Sequence, residues 1–431
     1  VSGVAVSRRD GRLLGVRYVS EKLERVYFDE DSRKRWEGVE RALPGRLNLI
    51  LGSISEGRQK LIRSSADTAP PAYYLYDEGE PAITPLFELY PELSDVKHAP
   101  MQPISYVARD GLEVPGYLTV PVDGTRAPFP LIVMPHGGPW ARDVWGWDPI
   151  VQFLVSRGFA VLQPNFRGST GYGQAYFERG GGRWGLEMQD DVTDGARWAI
   201  QEGIADPARV GIFGISYGGY AALRAMQMEP ELFRAGASYA AVTDLPELLE
   251  DASRYEFWIA ELESLVGRRR EDRIKLAKAS PARGAHEIRG AILIGHGSED
   301  SRVQVSQARL MVDALRRAGR EVEAYVYDGE DHSFIDERNQ IEFFTRLASF
   351  FERQLGPPSR TSSPRGGVGP GRELPGQRRK GSSFSRRREG ARRVLDWMTA
   401  NQGGPSPRKS GDGSHASKRS ASFFQTERST S

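Results

Sequence analysis

Hydrophobic and polar positions fall into two regimes along the chain. From Pro103 onward, short apolar runs recur at Pro130–Met134, Ala160–Gln163, Val210–Phe213, Ala235–Ala241, Ala291–Ile294 and Val322–Tyr327. Between them lie amphipathic segments of helical length at 148–157, 188–202, 217–228, 268–279 and 305–318, with a last one from Gln340 to Leu355. Continuous apolar strands alternating with amphipathic helices predict a mostly parallel sheet covered on both faces, an α/β domain over residues 98–356. At its entrance, Ile104-Ser105-Tyr106 and Gly116 to Val120 alternate around Asp110-Gly111, which predicts a hairpin.

Residues 1–97 follow a different pattern. Val4 to Val6, Leu13 to Val19, Arg25 to Phe28, Leu47 to Leu51 and Lys60 to Ile62 predict short strands between polar turns, with one helix between Asp31 and Ala42. Four or five such strands are too few to close a β domain alone, so this region reads as the remnant of a larger repeat sheet. Residues 357–431 form a third unit. Of these 75 residues, 32 are Ser, Gly or Pro, and 16 Lys+Arg face 5 Asp+Glu, so ordering entropy outweighs the little apolar surface available. The unit is expected to be a disordered basic tail.

Charge sharpens the division. The whole chain of 431 residues carries +2, but the tail alone carries +11 and residues 1–356 carry −9. No nucleic-acid partner is expected, with the tail the one exception as a candidate arm for anionic surfaces. Cysteine is absent, which excludes a disulfide scaffold, a cysteine nucleophile and an iron–sulfur centre, and favours a reducing compartment, here taken as the cytoplasm. The pattern predicts no membrane span and no leader peptide. With no P-loop, dinucleotide fingerprint or histidine-rich cluster, the sequence implies no cofactor and no metal.

The strongest chemical signal is Gly214-Ile215-Ser216-Tyr217-Gly218-Gly219-Tyr220, a G-x-S-x-G pattern between a buried strand and a helical segment. A serine on such a turn needs glycine neighbours so that the backbone can bend, and it needs a base and an orienting carboxylate to become nucleophilic. The order Ser, acid, His expected for this arrangement is met. Gly295-His296-Gly297-Ser298-Glu299-Asp300 follows one strand and offers Asp300, with Glu299 and Asp331 as competitors. Gly329-Glu330-Asp331-His332-Ser333-Phe334 follows the next and offers His332. Of the six histidines, His332 alone lies after the acid in a strand-end loop of the ordered region, while His136 and His296 read as backbone ties. The loop His136-Gly137-Gly138-Pro139 is placed to supply one amide to an oxyanion, and Tyr217 the other. Arg167 reads as a loop tie, and Tyr255, Phe257 and Trp258 read as packing residues.

Together these segments, with Asn165-Phe166-Arg167-Gly168-Ser169-Thr170-Gly171-Tyr172-Gly173 and Arg183-Trp184-Gly185, resemble the catalytic domain of the prolyl oligopeptidase family of serine peptidases, nearest its acylaminoacyl-peptidase and dipeptidyl-peptidase-like branches. The resemblance covers about residues 100–355. It implies an α/β-hydrolase fold, a triad of Ser216, Asp300 and His332, oxyanion donors at the Gly138 and Tyr217 amides, and small peptides as substrate. It also implies that residues 1–97 are the last one or two blades of a β-propeller and that the chain is truncated at its N-terminus. Two other functions remain open at this level: a carboxylesterase using the same triad on small acyl esters, and an inactive fragment or binding module.

Overall fold

The computed structural model describes residues 2–356, except 8–9, 55–57, 80–81 and 255 and the side chains of 256–258. The expected tail therefore lies outside the described residues, as do the side chains of Tyr255, Phe257 and Trp258.

Two antiparallel sheets come first. Strands β1 (Gly3–Val6), β2 (Leu13–Val19) and β3 (Leu23–Tyr27) form one of them. Helix α1 (Glu30–Ala42) follows, started by Asp29, whose carboxylate accepts from the Ser32 amide. Strands β4 (Leu47–Ile54), β5 (Gln59–Ala66), β6 (Ala69–Asp77) and β7 (Ala82–Glu88) make a four-stranded meander. This is two strands more than the sequence pattern predicts. The missing pair contain Pro70, Pro71 and Pro85, which read as strand breakers, yet β6 and β7 pair through a register shift at Tyr73/Tyr74 that accommodates Pro85.

The remainder is one eight-stranded sheet in the order β15-β14-β13-β12-β10-β11-β9-β8. The hairpin of β8 (Met101–Val107) and β9 (Glu113–Thr119) is antiparallel, and β9 pairs antiparallel with β11 (Ala160–Pro164). From there β10 (Phe129–Val133), β12 (Ala205–Ile215), β13 (Ala235–Tyr239), β14 (Ala291–Gly297) and β15 (Val322–Tyr327) run parallel. Every residue of β10, β11 and β13 is buried, as strands covered on both faces must be.

Two helical layers provide that cover. On one face, α4 (Glu187–Gln201), α5 (Tyr217–Met228) and α9 (Ser306–Arg317) pack Val192, Tyr220, Met226, Met311 and Leu315 against the sheet. On the other, α2 (Pro149–Ser156) and α10 (Glu337–Leu355) contribute Val151, Phe153, Phe343, Leu347 and Phe351. Between β13 and β14 the chain forms α6 (Leu245–Ala252), α7 (Glu256–Leu265) and α8 (Arg273–Lys278), where the pattern predicts a single helix over 268–279. The start of α6 carries a legible signal, because Asp244 caps the Glu247 amide and proline occupies its first turn. The short α3 (Gln174–Glu178) is likewise absent from the sequence pattern.

The turn between β2 and β3 rests on the large sheet. Tyr117 Oη donates to Glu21 O at 2.6 Å, Arg142 donates to Val19 O and Ser20 O, and Lys22 Nζ lies 3.9 Å from the centre of the Trp145 ring. Among the described residues, no helix is long and apolar enough to cross a membrane.

Candidate active site

At the C-terminal edge of the parallel strands, β12 ends at Ile215 and α5 starts at Tyr217, leaving Ser216 alone in the turn with φ 59° and ψ −121°. A side chain in this left-handed conformation is strained, and the strain is maintained by what surrounds it. The Ser216 amide donates to Tyr239 O at 2.9 Å and its carbonyl accepts from the Tyr220 amide at 3.0 Å. Helix α5 turns back so closely over the strand that a Cβ on Gly214 would sit 2.1 Å from Gly218 C, and one on Gly218 would sit 2.2 Å from Pro135 O. Bare backbone at both positions is what allows the turn to exist.

The loop after β10 reaches the same point. A Cβ on Gly137 would lie 3.7 Å from Ser216 Cβ, so the His136-Gly137-Gly138-Pro139 segment passes directly beside the serine. His136 anchors it, contacting Ser169 Oγ and Gly137 O at 2.8 Å each and stacking on Phe166 at 4.3 Å. Burial pushes the imidazole down to about 4, so it stays neutral at physiological pH. Tyr217 is the first residue of α5, where an amide has no partner within the helix and the helix dipole is positive. Its ring is locked edge-on against Trp184 at 4.5 Å.

Asp300 and His332 come together from neighbouring strands. In the parallel register Gly297 lies opposite Tyr327, and beyond it the Ser298 amide donates to Tyr327 O and the Glu299 amide to Glu330 O, both at 2.9 Å. The two loops are in such close contact that a Cβ on Gly297 would lie 2.3 Å from Glu330 O. His332 Nδ1 then meets Asp300 Oδ2 at 2.8 Å and Oδ1 at 3.0 Å. Oδ1 also accepts from the Arg302 and Val303 amides at 2.9 Å each. The Asp300 side chain is fully buried, which alone would push its pKa up. The polar contacts from His296 and His332 and the Val303 amide outweigh that and hold the carboxyl well below the usual range. Of the two competing acids, Glu299 forms no hydrogen bond or ion pair with His332 among the described residues, and Asp331 is occupied by the Ser301 amide and hydroxyl and by the His332 amide. Among the described residues no hydrogen bond joins Ser216 Oγ to His332.

Three residues next to this cluster carry no catalytic signature in the sequence. Glu330, 1% exposed, accepts from the Ile335 amide, the Asp336 amide at 3.0 Å and Asn339 Nδ2 at 2.7 Å, folding the loop that carries His332 onto the start of α10. Tyr239 stacks on Phe334 at 4.3 Å, two residues beyond His332, while its carbonyl receives the Ser216 amide. His296 lies at the end of β14, its side chain 0% exposed against Asp300. Arg167, by contrast, lies as expected outside the cluster, paired with Asp191 at 2.6 Å and Asp110 at 2.8 Å.

The strand order, the antiparallel β8–β9 entrance and a serine on a strained strand-to-helix turn define an α/β-hydrolase fold. Within that class, the chain belongs to the prolyl oligopeptidase family, whose pattern matches residues 145–358. Dipeptidyl aminopeptidase BIII of Pseudoxanthomonas mexicana is 32% identical over 368 residues, a stretch covering 83% of this chain and 53% of that protein. The human acylamino-acid-releasing enzyme is 28% identical over 245 residues, covering 55% of this chain and 32% of its own length. Among solved structures, a puromycin-hydrolyzing peptidase of Mycobacterium tuberculosis superposes with a TM-score of 0.70 at 26% identity, over 82% of this chain and 53% of that one. An acylaminoacyl peptidase of Pyrococcus horikoshii, at 23% identity, shares the fold with a TM-score of 0.66 over 82% of this chain and 56% of that one. The chain spans about half the length of two curated relatives that it matches, 53% and 52%.

Proposed function

We propose that this chain is a serine peptidase that cleaves oligopeptides through an acyl-enzyme. In this reading Ser216 is the nucleophile, His332 the base and Asp300 the group that orients it. The observation that carries the proposal is the buried Asp300 carboxylate, hydrogen-bonded to His332 Nδ1 and to two loop amides. That bond keeps the proton on Nδ1 and leaves Nε2 free to accept the serine proton. As the serine oxygen bonds to the scissile carbonyl carbon, its proton passes to Nε2, and the carbonyl oxygen becomes an anion facing the Tyr217 and Gly138 amides. A donor of this kind contributes about 100-fold to 1,000-fold to the rate. The C–N bond then breaks as Nε2 returns the proton to the departing amine, and water repeats the cycle to release the acid. The transfer requires the His332–Ser216 contact to close on substrate binding, as active-site hydrogen bonds commonly do.

Peptides rather than esters are favoured by the names of the relatives, a dipeptidyl aminopeptidase and an acylamino-acid-releasing enzyme. In this reading residues 1–97 are the remnant of the last one or two blades of a β-propeller, 98–356 the catalytic domain and 357–431 a disordered basic tail. The meander of β4 to β7, together with the β2–β3 turn that meets Arg142 and Trp145, fits that assignment.

The test is fluorophosphonate labelling of the full chain beside Ser216→Ala and His332→Ala, followed by a panel of dipeptidyl and N-acyl-aminoacyl chromogenic substrates and p-nitrophenyl esters. Labelling lost in both variants, with peptide turnover, is the expected result. Ester turnover without any peptide turnover would replace the peptidase by an esterase, and absence of labelling in folded protein would remove the enzyme.

A further inference from the structure

We infer that His296 is a positioning residue for the proposed triad, holding the Asp300 carboxylate where His332 meets it; the inference rests on the triad reading above. His296 Nε2 lies 2.8 Å from Val303 O. A carbonyl can only accept, so Nε2 carries a proton. The same N–H lies 3.3 Å from Asp300 Oδ2. Nδ1 is buried with no hydrogen-bond partner among the described residues, in a side chain that is 0% exposed. A second proton there would be an unpaired donor and a buried charge, so the ring is the neutral Nε2–H tautomer, donating to Val303 O with Asp300 Oδ2 in contact with the same nitrogen.

The consequence is a ring of two hydrogen bonds and one close contact around one carboxylate. Val303 donates its amide to Asp300 Oδ1 at 2.9 Å and gives its carbonyl to His296 at 2.8 Å. His296 is fixed in turn by the end of β14, where a Cβ on Gly295 would lie 2.5 Å from the Phe343 ring and one on Gly297 2.3 Å from Glu330 O. Asp300 Oδ2 is thus flanked by two imidazoles, His332 at 2.8 Å and His296 at 3.3 Å. The second one restrains the carboxylate from rotating away when His332 takes the serine proton.

The experiment compares fluorophosphonate labelling rates of the full chain with those of His296→Gln, His296→Phe and His296→Asn, at a temperature where each is folded by circular dichroism. Glutamine can place an N–H at the reach of Nε2; phenylalanine fills the space without a donor; asparagine is polar but too short. The expected result is that Gln labels within about threefold of wild type, while Phe and Asn are slower by about 10-fold to 100-fold, the loss of one hydrogen bond to a charged group. If Phe does not fold, the Gln and Asn pair carries the comparison. A purely packing role predicts the reverse order, with Phe near wild type and Gln impaired, and would overturn the inference, as would equal rates in all variants. Combining each variant with Asp300→Asn adds a second readout: a residue acting through Asp300 has no further effect once that carboxylate is gone. Failure of the wild type to label, or labelling that persists in Ser216→Ala, would instead sink the triad reading itself.

Discussion

His332 Nδ1 and Asp300 Oδ2 lie 2.8 Å apart although 32 positions separate them in the chain, and the aspartate side chain is sealed from solvent while the histidine keeps 15% of its surface. A buried acceptor that faces one ring nitrogen determines the tautomer of the whole ring. Replacing Asp300 by Asn keeps the shape but lets the amide donate towards Nδ1, favouring the tautomer with its proton on the wrong side. Fluorophosphonate labelling of Asp300→Asn is expected to fall by about 10,000-fold with the circular dichroism spectrum unchanged. A loss under tenfold would show that Asp300 does not orient the base.

The strained serine turn predicts opposite effects at neighbouring positions. Gly218→Ala would push a methyl group to within 2.2 Å of Pro135 O and 3.2 Å of His136 O, both backbone atoms that cannot swing aside. It is expected to destabilise the fold by at least about 2 kcal/mol and to abolish labelling. Ser216→Gly also abolishes labelling but removes the cost of a side chain at φ 59°. Its urea midpoint is expected at or above that of wild type, the gain held to about 1 kcal/mol by the freedom glycine adds to the unfolded chain. A lower midpoint for Ser216→Gly would mean the turn stores no strain.

Arg167 offers a test of structure without chemistry. Its side chain is 6% exposed and bridges Asp110 to Asp191, whose own side chain is 0% exposed. Despite the cost of burial, the two carboxylates hold the guanidinium firmly charged. Arg167→Met leaves Asp191 as an uncompensated buried charge and is expected to cost about 3–5 kcal/mol in urea unfolding. Arg167→Met with Asp191→Leu should recover most of it, since an apolar pair replaces the ion pair. No recovery in the double variant would assign the loss to packing instead.

Asp143 sets a pH dependence. Burial, and then the charge of Asp148, push its carboxyl up to about 8, against a weaker pull from Gln163 and Arg142. In the unfolded chain the group titrates near 3.9. A folded pKa above the unfolded one gives a contribution to stability that is fully present below pH 4 and is lost as pH rises through 8. Asp143→Asn never ionises. The stability difference between variant and wild type, read from urea midpoints, is therefore expected to move in favour of the variant as pH rises from 4 to 8 and to stay level above. A difference that is constant across that range would show Asp143 ionised in the folded protein.

Much of this was legible in the chain. Unbroken apolar runs such as 130–134 and 235–241 became strands because neither face meets water, and the β15 prediction of 322–327 coincides with the structure. Gly214, Ser216 and Gly218 announced the strained turn, since few other patterns require bare backbone on both sides of a hydroxyl. The prolines in β6 and β7 hid two strands, because a local breaker signal says nothing about the partner strand that absorbs it.

What the sequence by itself determined was the set of elements and the chemical types at their ends, because period and turn chemistry are local properties. The tertiary structure decided which of those ends meet. The placement of β12, β13, β14 and β15 side by side and parallel gathers Ser216, Tyr239, Asp300 and His332 at one edge. The contact of the loops at Gly297 and Glu330 brings Asp300, rather than Glu299 or Asp331, onto His332 Nδ1. His296 is one histidine among six in the sequence. Only the fold of residues 297–303 brings the Val303 carbonyl and the Asp300 carboxylate together at His296 Nε2, because such contacts depend on distances that no linear spacing encodes.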